Sequence, residues 1–202
     1  MGITLILFDM NGVLCAYDKA KRVAVLARLA GLAPEAVNAA IWDSGFEDAG
    51  DAGLMDQDRY LRGFGEALGY PLTRDEWTEA HAAAMTPDPA MLDLAKRLST
   101  RMRIAVLTNN NPLVRERIPL LCRPVAEIFG LNFHVSAEFG ARKPEPECYL
   151  RCLDVLGARS EETLFIDDSV ANVEGAREAG LVSYHFQGRP ALEALLAEHL
   201  PD

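Results

Sequence analysis

The chain has 202 residues, of which 50% are hydrophobic, 25% charged and 7% aromatic. That composition excludes the disordered, collagenous and disulfide-stapled classes and suits one domain, or one domain with a small insert. The net charge of −10 repels nucleic-acid backbones and anionic membrane surfaces, so neither is an expected partner.

Ile3 to Phe8 is a continuous apolar run halted at Asp9 to Gly12, the pattern of a strand buried on both faces of a parallel sheet. It is short, has no basic leading region and ends in an acid, so it predicts a strand and not a secretion signal. Helical spacing follows. Val23, Leu26, Leu29 and Ala30 recur on one face before Gly31, and Pro34 opens a helix toward Trp42. Tyr60, Leu61, Phe64 and Leu68 share a face before Gly69, and Thr73 with Glu76 reads as a capping box. No strand signal interrupts residues 15 to 88.

From Asp88 and Pro89 the pattern alternates: helix (Leu92, Ala95, Leu98), strand (Arg103 to Leu107), helix from Pro112, strand (Asn132 to Ser136), helix (Glu145 to Leu156). Strand Leu164 to Asp167, helix Val170 to Ala179, strand Val182 to Phe186 and a helix from Pro190 complete it. Alternation of this kind predicts an α/β fold with a doubly wound, Rossmann-like parallel sheet. The expected organisation is a core of residues 1–14 and 90–202, with an all-helical insert, residues 15–89, after the first strand. Cys15, Cys122, Cys148 and Cys152 form no CxxC pair, and no apolar run reaches the ~20 residues that span a bilayer. Buried thiols in a reducing cytoplasm are expected.

Ligands of open parallel sheets bind outside the carboxyl ends of the strands. Polar residues gather there: Asp9, Asn11 and Gly12 after the first strand, Thr108, Asn109 and Asn110 after the next, then Asp167, Asp168, Ser169 and Asn172. Lys143 stands in the loop before the Glu145 helix, one of only four lysines. Carboxylates, a hydroxyl and an ammonium at one sheet edge suit phosphoryl transfer at a metal-bound phosphate.

The series LILFDMNGVL, IAVLTNN, RKPEPECY and LFIDDSVANVEGAREAGL resembles, in order and spacing, the four motifs of the haloacid dehalogenase superfamily. The resemblance covers the whole predicted core and is nearest to the small-helical-cap phosphatases, such as the amino-terminal phosphatase domain of soluble epoxide hydrolase and the bacterial sugar-1-phosphatases. It implies a Mg²⁺-dependent phosphatase acting on a small-molecule phosphate ester, with Asp9 as nucleophile and an aspartyl-phosphate intermediate. Asp9, Asp168 and the main-chain carbonyl of Asn11 would ligate Mg²⁺, Thr108, Asn109 and Lys143 would bind the phosphoryl group, and Asp167 and Asn172 would orient the rest. Trp42, Phe46, Glu47 and Asp48, with the acidic loop to Asp58, are the expected cleft-facing residues of the insert.

Asn11 departs from the superfamily, whose phosphatases usually carry an Asp there to protonate the leaving alcohol. An amide cannot exchange a proton near neutral pH, and general acid catalysis is worth about 10² to 10⁴ in rate. Asn11 fits a native enzyme with an activated substrate or another acid, an engineered substitution, or partial deamidation of the Asn11-Gly12 pair. Two rival functions stand beside phosphatase: a phosphate-binding regulatory protein with little turnover, and a metal-free 2-haloacid dehalogenase, which the Asp167-Asp168 pair disfavours. A phosphonate hydrolase would need a lysine from the insert, and none stands between Arg22 and Ala95.

Overall fold

The computed structural model describes residues 2–199. In chain order the strands are β1 (Leu5–Phe8), β2 (Cys15–Tyr17), β3 (Met85–Pro87), β4 (Arg103–Thr108), β5 (Phe133–Val135), β6 (Thr163–Asp167) and β7 (Val182–His185). Helices α1 (Lys19–Ala30), α2 (Pro34–Asn38), α3 (Phe46–Asp51), α4 (Gln57–Leu68) and α5 (Arg74–Ala84) lie between β2 and β3. Then come α6 (Pro89–Ser99), α7 (Pro112–Leu121), α8 (Arg123–Phe129), α9 (Pro146–Leu156), α10 (Val170–Glu178) and α11 (Arg189–His199).

The main sheet has the order β5-β4-β1-β6-β7 with every pairing parallel, a doubly wound α/β sheet as the alternation predicted. β1 lies at the centre, and the strand order reverses between it and β6, which opens a crevice outside their carboxyl ends. Side chains of β1 alternate between the two faces. Ile6 and Phe8 join a cluster built with α6, α7 and α8, which runs on into the helices between β2 and β3. Leu5 and Leu7 join a second cluster built with α9 and α10. With all four residues buried, the strand is anchored from both sides, at about 1.5–3 kcal/mol per large apolar side chain.

The structure departs from the sequence expectations between β1 and α6. Residues 15 to 88 do contain strands: β2 and β3 pair antiparallel, Cys15 opposite Pro87 and Tyr17 opposite Met85, continued by Asp88 N–H to the Leu14 carbonyl at 2.9 Å. Three-residue strands are too short to show a period of two, and each meets its partner across some seventy residues. The helix begun at Pro34 is also interrupted, passing into a π-helical turn over Ala39–Asp43. α3 and α8 have no counterpart in the sequence reading because neither is long enough to display helical periodicity. Among the described residues, no single helix is long and apolar enough to cross a membrane.

β2 and β3, the hinge strands, carry the chain into and out of the intervening helices, which pack around a buried ion pair. Arg22 of α1 is 1% exposed, and its guanidinium lies 2.6 Å from Glu47 of α3. The Tyr60 hydroxyl of α4 donates to the other Glu47 oxygen at 2.5 Å, and Asn111, the N-cap of α7, donates to that hydroxyl at 3.1 Å. Three helices are thus joined to one another and to the sheet side. Glu47, expected to face a cleft, is instead consumed in this network, because a buried guanidinium demands a carboxylate. Truncating one member strands the other charge in the interior. Glu47→Ala is expected to lower stability by about 3–5 kcal/mol in urea unfolding, and a loss below about 1 kcal/mol would show that the pair is not structural.

Candidate active site

Asp9 follows β1, and its amide donates to the Ile166 carbonyl of β6 at 2.8 Å, so the last rungs of the sheet fix its backbone. The chain then folds over: the Met10 carbonyl accepts from Leu14 and Cys15, and Gly12 donates to the Cys15 carbonyl at 2.7 Å. Gly12 has φ +86°, and a Cβ there would fall 2.1 Å from an Asp168 carboxylate oxygen. Only glycine lets this turn lie against the β6 end. The turn holds Asn11 beside Asp9, its amide oxygen buried without a hydrogen-bond partner.

Lys143 reaches the same place from the loop before α9. It is 3% exposed, and its Nζ lies 2.7 Å from Asp9 Oδ1 and 2.7 Å from Asp167 Oδ2. Asn109 sets that reach, its amide donating to the Lys143 carbonyl at 2.8 Å and accepting from the Lys143 amide at 2.9 Å. Both ends of Asn109 are therefore engaged with main chain. Asp167, fully buried, also accepts from the Ser169 amide at 2.8 Å and from the Asn172 side chain at 3.1 Å on each oxygen. Asp168 stands outward, its carbonyl 3.0 Å from His185 Nε2.

Carboxylate oxygens of Asp9, Asp167 and Asp168 lie within 4.8 Å of one another. Lys143 pairs with Asp9 and Asp167, both buried, and Asp168 stands exposed beside them, so the three carboxylates carry two formal negative charges beyond the one ammonium. Burial, opposed by Lys143 and reinforced by Asp167, pushes the Asp9 carboxyl up to about 6. For Lys143 burial acts against the charge, but Asp9 and Asp167 outweigh it and hold the ammonium above its ordinary range. The two shifts agree physically: the cation is outnumbered, so it stays charged while one acid is costly to ionise. Oxygen donors with two unmatched negative charges suit a hard divalent cation.

Thr108 ends β4 with its hydroxyl accepting from Asn110 Nδ2 at 3.0 Å, which leaves its own hydrogen free to donate. Ser136, at the end of β5, was not singled out in sequence although it is another strand-end hydroxyl. It receives the Asn110 amide at 3.1 Å and donates to the Asp51 carbonyl at 2.7 Å, which seats α3 over these strand ends. A second link over the site joins Asp48 to Arg142, the neighbour of Lys143, at 2.9 Å. Burial, with Glu47 nearby, raises the Asp51 carboxyl well above the usual range. Trp42 lies under the Lys19 ammonium at 4.4 Å, and Phe46 stacks on Tyr60.

The site residues read from sequence therefore converge: Asp9, Lys143, Asp167, Asp168 and Asn172 form one charged cluster, with Asn109 holding Lys143, Thr108 at the adjoining strand end and Asn11 on the turn after Asp9. Comparison with known proteins follows the same line. The chain is 29% identical to Phosphatase MT3486 of Mycobacterium tuberculosis, over 91% of this chain and 87% of that protein. It is 31% identical to Hexitol phosphatase A of Escherichia coli, over 86% and 78% respectively. A HAD family enzyme of Bacteroides thetaiotaomicron, solved in complex with magnesium and inorganic phosphate, superposes with a TM-score of 0.75 at 23% identity, over 91% of this chain and 93% of that one. Residues 3–180 match the haloacid dehalogenase-like hydrolases, and the chain belongs to that family.

Proposed function

We propose that the protein is a Mg²⁺-dependent phosphomonoesterase for small-molecule substrates, working through an aspartyl-phosphate on Asp9. The observation that supports it best is the cluster of three carboxylates and one buried ammonium at the β1 and β6 ends, with two negative charges unmatched. The phosphatases among its relatives, one named for a hexitol phosphate, and the magnesium and phosphate bound by the structural neighbour point the same way. The helices between β2 and β3 act as a cap, tied to the sheet side through Asp48, Asp51 and Asn111.

Asp9 and Asp168, with the Asn11 carbonyl, would hold the metal, which when bound neutralises phosphate charge and orients it toward Asp9. Asp9 needs no base, since a carboxylate is already ionised once above its pKa. Lys143 holds one Asp9 oxygen at 2.7 Å, fixing the carboxylate's rotation and offsetting charge when an anionic phosphate approaches. The Thr108 hydrogen is free to donate to a phosphoryl oxygen. Asp167, saturated by Lys143, Ser169 and Asn172, positions the ammonium. Asn11 can bond but cannot give a proton, so the departing oxygen leaves as an anion unless another acid serves it. The metal-free dehalogenase reading does not account for the unmatched charge.

Asp9→Asn is expected to remove turnover of p-nitrophenyl phosphate while leaving the circular dichroism spectrum and thermal midpoint in place. Wild-type turnover in that variant would mean that another group attacks phosphorus.

Because burial raises Asp9 to about 6, Mg²⁺ must displace a proton from it at lower pH. Affinity in titration calorimetry should be flat above about pH 7 and fall about tenfold per pH unit below about 6, and Asp168→Ala should abolish binding. A constant affinity from pH 5 to 8 would remove Asp9 from the ligand set.

With no acid at position 11, rates should follow leaving-group pKa steeply. Asn11→Asp is expected to raise turnover of alkyl phosphates by roughly 10² or more and of acetyl phosphate far less. Equal gains on both classes, or none, would show that position 11 does not limit proton transfer.

A further inference from the structure

Two of the buried thiols meet across the fold. Cys15 opens the hinge strand β2, and Cys122 stands at the break between α7 and α8, yet their Sγ atoms are 3.5 Å apart. We propose that Cys15 and Cys122 are an oxidisable pair, and that their disulfide ties the hinge to the sheet-side helices and displaces the turn carrying Asn11 and Gly12. This pair is separate from the charged cluster and its oxidation does not depend on the phosphatase reading; its effect on metal affinity rests on the Mg²⁺ site proposed above.

The geometry selects this pair. A disulfide has its sulfurs about 2.05 Å apart, so closure asks for a movement of roughly 1.5 Å. Cys148 and Cys152, also buried, sit one turn apart on α9, where Cβ atoms lie about 5–6 Å apart against the ~3.8 Å that a disulfide prefers. Both Cys15 and Cys122 are nearly fully buried, at 1% and 2% exposed. Even so, Cys15 lines a cleft of about 450 Å³ at the hinge, bordered by Gly12, Thr86, Asp88 and Phe186, large enough to admit a small oxidant. The two thiols share a hydrogen bond in which either sulfur can donate, and that sharing lowers the Cys122 thiol while raising Cys15; the thiolate is the reactive form.

The oxidant class is a hydroperoxide. One thiolate attacks a peroxide oxygen, the O–O bond breaks, and a sulfenic acid and water result. The second thiol then attacks the sulfenic sulfur, an S–S bond forms and a second water leaves, so two thiols and one hydrogen peroxide yield one disulfide and two waters.

The site feels this closure through main chain. The Cys15 amide donates to the Met10 carbonyl at 2.9 Å and its carbonyl accepts from Gly12 at 2.7 Å, so any displacement of the Cys15 backbone passes to the turn between them. Gly12 lies directly against the Asp168 carboxylate, so a displaced turn meets that side chain. Misplacing a reacting group by about 1 Å can cost on the order of a hundredfold in rate.

The test treats the full chain with hydrogen peroxide, alkylates remaining thiols and maps the peptides. A crosslink between the Cys15 and Cys122 peptides, reversed by dithiothreitol, is expected, with Mg²⁺ affinity and p-nitrophenyl phosphate turnover both falling about tenfold or more and recovering on reduction. Cys122→Ala should keep its turnover through the same treatment. Overoxidation without a crosslink, a crosslink at Cys148 and Cys152 instead, or a Cys15–Cys122 crosslink that leaves metal affinity unchanged would each overturn the proposal. Peptide mapping and calorimetry decide it even if the chain hydrolyses no phosphate ester or Cys122→Ala does not fold.

Discussion

A single ammonium holds the site together. Lys143 lies buried between Asp9 and Asp167, 2.7 Å from each, and without it two carboxylates from adjacent strands would face one another in a space with little water. Taking such charges out of water costs several kcal/mol per ion even after relaxation, and Lys143 offsets only part of that cost. The remainder is visible in the raised Asp9 carboxyl. A fold that accepts this imbalance at the centre of its sheet is poised for a divalent cation. The surrounding architecture serves the same end: Asn109 grips the Lys143 backbone at both its carbonyl and its amide, and Asn172 and Ser169 fill the free valences of Asp167.

The helices between the hinge strands follow a different logic. Their central ion pair, Arg22 with Glu47, is closed by charge on charge and capped by Tyr60. Its contribution is registry. A buried guanidinium has one satisfactory arrangement of partners, and here those partners come from β2, α3 and α4, with Asn111 joining them to α7. The apolar contacts around it, including Trp77 edge-on to Tyr60, could slide more freely. The ion pair sets the shape of the helical layer, and the acid-rich cluster stands apart from it at the strand ends.

The sheet and the candidate site are legible for one reason: parallel strands buried on both faces are continuous apolar runs, and the polar residue that stops each run lies at the edge where such sheets bind ligands. Asp9, Thr108 and Asp167 are such stops, and Lys143 stood out because lysines are few. What sequence could not show was pairing between distant segments. β2 and β3 are three residues each, and nothing local in either announces the other. Glu47 looked like an exposed acid because its partner, Arg22, is 25 residues away on another helix. Cys15 and Cys122 looked like ordinary buried thiols for the same reason.

The hinge also bears on how the chain reaches this fold. β1 must find β4 roughly a hundred residues further on, and the entropy of closing a flexible loop rises by about 0.6 kcal/mol for each doubling of its length. β2 and β3 bring the chain at Leu14 and Asp88 to hydrogen-bond distance. Once the intervening helices have collapsed on their own apolar faces, only about 25 residues of free chain still separate β1 from β4. That is a fourfold shortening, and it removes about 1.2 kcal/mol from the closure cost. In this order of events the helical layer is a folding aid to the sheet it covers, since it converts a long-range pairing into a short-range one.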